Sequence, residues 1–87
     1  SKLNYFVQSP DLHASHAAKV LLKFKLLELQ SVALADFYSW AQTTPLLKRI
    51  HQNFFTVNPI QDWCRDLLEE LINKKVAIIR NDVVYNI

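Results

Sequence analysis

Val76-Ala77-Ile78-Ile79-Arg80-Asn81-Asp82-Val83-Val84-Tyr85-Asn86-Ile87 is where the chain changes its period. Two runs rich in β-branched strand formers flank Asn81-Asp82, a pair that tolerates the positive φ of a two-residue turn. Residues 76–87 are therefore expected to form a β-hairpin. The stretch just before them reads differently. From Pro59 onward Ile60, Trp63, Cys64, Leu67, Leu68, Leu71 and Ile72 recur at helical spacing. Asp62, Arg65, Asp66, Glu69 and Glu70 fill the other face. Asn73-Lys74-Lys75 is expected to close this helix, with cations where the dipole favours them and Asn73 in a left-handed cap.

All three prolines share one grammar. Ser9-Pro10, Thr44-Pro45 and Asn58-Pro59 each put a side-chain oxygen directly before proline. Such a pair reads as an N-cap accepting an orphan amide, followed by N1, where proline's missing donor is harmless. Three helix starts are expected there. The first helix should run from about Pro10 to Gln30, with Ala17, Val20, Leu21, Phe24 and Leu27 as its apolar stripe. Leu22, Leu26 and Leu29 widen that stripe, which predicts a central helix touched on several sides; Lys19 and Lys23 mark its exposed strip. After Gln30, an extended step through Val32 leads into a brief helix carrying Leu34, Phe37, Tyr38 and Trp40 or Ala41. Leu46, Leu47, Ile50 and Phe54 then mark a helix from Pro45.

Composition narrows the classes of function. In 87 residues there is no glycine and one cysteine. Without glycine there is no glycine-rich phosphate loop; with one cysteine there is no internal disulfide and no zinc site of two or four cysteines. The net charge of +2 does not by itself imply nucleic acid. Residues 1–51 carry +3 and residues 52–87 carry −1, so any basic surface belongs to the first half. No apolar run approaches the ~20 residues of a membrane span, and no signal peptide opens the chain. The setting expected is intracellular and reducing, cytoplasm or nucleus, with Cys64 a free thiol. A start at Ser1-Lys2 without methionine is expected of an excised or processed domain.

The expected fold is α+β, mainly α: a single domain over 1–87, with 1–9 an extended N-terminal arm, about four helices, and 76–87 a hairpin. This pattern resembles a winged-helix domain. The residues that carry the resemblance are Val32 to Trp40, the step into the second helix; Pro59 to Asn73, the helix before the wing; and Val76 to Ile87, the wing itself. Two features depart from the usual pattern: the wing turn is only about two residues, and Pro45 to Phe55 forms an additional helix. The compact wing is similar to those of winged helices in ESCRT-II subunits, proteasome-lid-type subunits, and replication or telomere complexes. Fold does not fix function.

No catalytic, cofactor or metal site is expected. His13 and His16 stand three apart on one helix, with Asp11 and His51 as conceivable partners, but no full tetrahedral set supports a metal. Cys64 lies on an apolar face, where a thiol acts as a small hydrophobe. The carboxylates of residues 62–70 read as surface charge. Adjacent Phe54-Phe55 point about 100° apart, so one is expected outward, and the same holds for Tyr5-Phe6.

A reader of the helix-turn-helix type sends the helix before the wing into the major groove. Here that helix would present Asp62, Asp66, Glu69 and Glu70 against a single Arg65. The expectation is thus a non-catalytic protein-interaction module, part of a subunit in a larger assembly, DNA-associated assemblies included. Its partner, basic in character, would dock on Asp62, Arg65, Asp66 and Glu69, with Arg80, Tyr85, Phe54 and Phe55 as further contacts. The alternative is nucleic-acid binding through Lys48, Arg49, Lys74, Lys75 and Arg80, weak and salt-dependent. No small-molecule substrate and no membrane enter either reading.

Overall fold

The hairpin forms where the period changes. In the computed structural model, which describes residues 10–87, β2 (Ala77–Arg80) and β3 (Val83–Asn86) pair antiparallel. Asn81 and Asp82 turn the chain at φ 53° and 60°, both left-handed, as a two-residue turn matching the twist of its strands requires. The extended step is a third strand, β1 (Ser31–Ala33). It pairs antiparallel with β3, Val32 opposite Val84, so the order is β1-β3-β2 and β3 is central. Backbone bonds pin both ends of β1: Asn86 N–H donates to Gln30 O at 2.8 Å, and Leu34 N–H to Asp82 O at 2.8 Å. Val84 and Ala77 are fully buried on the inner face of the sheet. Tyr85, Ile78 and Arg80 alternate onto the outer face.

Among the described residues, four helices accompany the sheet in an α+β, mainly α architecture: α1 (Pro10–Leu29), α2 (Leu34–Thr43), α3 (Pro45–Phe54) and α4 (Ile60–Asn73). The prolines mark the starts, but the capping chemistry differs from expectation. Thr44 holds N-cap backbone geometry before Pro45, yet its hydroxyl donates backward to Trp40 O at 2.6 Å. It closes α2 rather than capping α3. Pro59, not Asn58, is the N-cap of α4, and no side chain caps that end. Ser9 lies outside the described residues. At the other end of α4, Lys75 and not Asn73 takes the left-handed position, at φ 62°. Lys75 N–H bonds Ile72 O at 2.9 Å and Val76 N–H bonds Leu71 O at 3.0 Å, a Schellman closure without glycine. Gln30, at φ 66°, ends α1 in the same left-handed way.

The core gathers Leu22 and Leu26 of α1, Phe37 of α2, Leu47 of α3, and Leu67, Leu68 and Leu71 of α4 around Val84. Each fully buried leucine contributes about 1.5–3 kcal/mol. The buried stripe of α1 is not the expected one. Its buried residues are Ala18, Leu22 and Leu26, whereas Phe24 and Leu27 are 65% and 56% exposed. Phe24 lies about 200° round the helix from Leu22. The two stripes are both apolar at helical spacing and each holds an alanine, so the choice between them is made by α3, α4 and the sheet, which pack on α1. So α1 is touched by several elements, α3, α4, β1 and β3, as expected of a central helix, and they share one face of it. Lys19, expected on the exposed strip, is mostly buried and pairs with Glu70 of α4 at 3.3 Å. Among the described residues no helix is long and apolar enough to cross a membrane.

Candidate functional site

α4 is amphipathic because its apolar residues recur at three and four, which buries Trp63, Cys64, Leu67, Leu68 and Leu71 on one side. Its outer strip carries Asp62, Arg65, Asp66 and Glu69, as expected of the face left over. Arg65 Nη2 donates to Asp62 Oδ1 at 3.0 Å, and Glu70 is taken by Lys19. That leaves Asp66 and Glu69 as exposed carboxylates with no ion pair among the described residues. The strip is therefore negative despite Arg65.

Tyr38 of α2 borders this strip. Burial pushes its hydroxyl above the usual tyrosine value; Arg65 pulls it down and Glu69 pushes it up. Those two influences put the phenol within electrostatic reach of the acidic strip. Helical spacing places Tyr38 beside Phe37 on the brief helix and does not mark it for the acidic strip. Its half-buried position on α2 follows from the packing of α2 against α4, which no local pattern announces.

The aromatic pair sits near the start of α4. Phe55 stacks on Trp63, ring centres 5.3 Å apart and planes 22° apart. Phe54 remains 45% exposed, 6.3 Å from the Phe55 ring. His51 locks this corner: its Nε2 donates to Asn58 O at 2.6 Å and its ring lies 5.4 Å from Trp63. Of the pair, Phe54 faces outward and Phe55 inward. Arg80 and Tyr85 are exposed on the outer face of the sheet instead. Tyr5 and Phe6 lie outside the described residues.

The basic residues divide. Lys48 and Arg49 are exposed on α3, between the buried Leu47 and Ile50. Lys74, at the end of α4, lines a small surface cavity of about 60 Å³ with His16, Lys19 and Lys23 of α1, which Lys48 and Arg49 do not line. Helical spacing alone leaves Lys19 and Lys23 on a solvated face and does not join them to Lys74. Those residues are about fifty positions apart, and only the packing of α1 on α4 brings them together.

Burial leaves Cys64 1% exposed and pushes its thiol up to about 11, so at neutral pH it holds the uncharged, unreactive form. Among the described residues no three His, Cys, Asp or Glu side chains gather to hold a metal ion. No protein-family model, curated protein or solved structure matches this chain.

Proposed function

We propose that this chain is a non-catalytic winged-helix module that binds another protein as part of a subunit in a larger assembly. The observation that carries this reading is the strip of uncompensated carboxylates on α4, Asp66 and Glu69. A helix entering a DNA groove needs donors for phosphates and base edges; carboxylates on that face oppose every approach. The same charge steers a basic protein partner and raises its association rate. Exposed Phe54, backed by the Phe55–Trp63 stack, offers an apolar contact of the kind that anchors interfaces. The winged-helix reading draws support from the element order, a short strand between the first two helices pairing with the last strand of a C-terminal hairpin. In this reading the setting is the reducing cytoplasm or nucleus, which suits a buried free thiol.

Photo-cross-linking in living cells tests the proposal. A benzophenone amino acid in place of Asp66 is expected to trap a protein, and Asp66→Lys with Glu69→Lys to slow that protein's association at low ionic strength with the fold preserved. Cross-links to nucleic acid alone, from position 66 and from position 48 alike, would overturn it in favour of binding through Lys48, Arg49, Lys74, Lys75 and Arg80.

A further inference from the structure

The apolar stripe of α1 that the core leaves unused is organised into a groove. Val20, Phe24 and Leu27 of α1 face Val76 and Ile87 across a surface cavity of about 310 Å³, with Lys23 among its walls. Phe24, Leu27 and Ile87 are all more than half exposed. Single exposed apolar residues are ordinary, but three large ones lining one concavity form a patch of the kind that marks a binding site. The smaller basic cavity adjoins it, since Val20, Lys23 and Val76 line both. Together they form one trench, apolar at one end and cationic at the other. Among the described residues no aspartate or glutamate side chain lines either part.

We propose that this trench docks an acidic peptide segment of another protein, one that presents large apolar side chains to Phe24 and Leu27 and carboxylates to Lys23 and Lys74. Charge complementarity selects that occupant. Lys19 is already matched by Glu70, while Lys23 and Lys74 have no carboxylate partner among the described residues. A second copy docking symmetrically would bring one cationic trench against another and supply no Asp or Glu for its lysines. Residues 1–9 of this chain carry Lys2 and no carboxylate, so they do not complement the cationic end. A polynucleotide would satisfy the lysines and leave the aliphatic walls of Val20, Leu27 and Val76 without a match. The occupant is thus both acidic and apolar. This surface is separate from the acidic strip of α4, and neither proposal depends on the other.

Two synthetic amphipathic peptides test it on the full chain. They share leucine and phenylalanine at helical spacing and differ only in carrying glutamate or lysine at the polar positions. The glutamate peptide is expected to bind about tenfold or more tightly than its lysine counterpart at low salt. Amide shifts on binding should gather at Val20, Lys23, Phe24 and Leu27. Phe24→Ala with Leu27→Ala should abolish binding of the glutamate peptide, and Lys23→Glu with Lys74→Glu should invert the preference. Asp66→Lys with Glu69→Lys should leave it unchanged, which separates this surface from α4. Equal binding of both peptides, no binding, or shifts confined elsewhere would overturn the proposal. So would displacement of the peptide by a single-stranded oligonucleotide, or a sedimenting dimer that Phe24→Ala with Leu27→Ala dissociates. Tighter binding in Tyr5→Ser with Phe6→Ser would overturn it too, by showing that the chain's own first residues fill the groove.

Discussion

Leu22→Ala and Phe24→Ala, two residues apart on α1, should have opposite weights. Leu22 is 0% exposed among Phe37, Leu68 and Val84 of the core cluster, so truncation removes a fully buried side chain and leaves a cavity. Such a change costs about 2–5 kcal/mol. Stability for a chain of this length is about 4–13 kcal/mol, so a large share of it disappears. Phe24 keeps only about a third of its surface from water. Losing that third costs at most ~1 kcal/mol, and alanine's better helix propensity returns about 0.5 kcal/mol. The net change is expected to lie within about 0.5 kcal/mol of zero. Thermal unfolding followed by far-UV dichroism reads the difference directly: at about 4–8 °C per kcal/mol, Leu22→Ala lowers Tm by about 8–40 °C and Phe24→Ala by a few degrees at most. Urea titration checks that the slopes match, so that the shift is in stability and not in the unfolded state. If Phe24→Ala proved as damaging as Leu22→Ala, the orientation of α1 would be wrong, and the groove with it.

Cys64 should resist a thiol reagent in the folded chain at pH 8 and react promptly in urea; prompt reaction of the native protein would contradict its burial. Because the folded thiol keeps its proton to about 11 against a usual value of 9.0, the folded state binds more protons between those values. Stability is therefore intact below pH about 9 and falls as pH rises toward about 11, with the raised Tyr38 hydroxyl adding to the same slope. Cys64→Ala should flatten that slope in urea midpoints measured across the window, and an unchanged slope would assign it elsewhere. Lys75→Gly and Asp82→Gly should each raise stability by up to ~1 kcal/mol, since glycine enters the left-handed region without the penalty that a Cβ imposes. A lower Tm in both would mean that these positions are not left-handed. Asp66→Lys with Glu69→Lys should change stability by no more than ~0.5 kcal/mol, because both side chains are exposed and neither makes an ion pair among the described residues; a loss of several kcal/mol by urea titration would show a structural role.

The elements and their order were legible in the sequence because local patterns carry them. Strand formers around Asn81-Asp82 specify a hairpin, and prolines at 10, 45 and 59 mark helix starts to within a residue. The acidic outer face of α4 followed as well, since its apolar residues repeat on one side only. Tertiary structure decided the rest. α1 carries apolar residues at helical spacing on two faces, so periodicity alone does not choose between Leu22 and Phe24; α3, α4 and the sheet choose, by what fits between them. The pairing of Val32 with Val84 joins strands about fifty residues apart, where no local signal reaches. The left-handed closure at Lys75 rather than Asn73 depends on how many residues α4 must span before Val76 enters the core edge. The trench beside Phe24 is likewise a property of packing: its lysines come from α1 and from the end of α4, and only the folded chain sets them side by side.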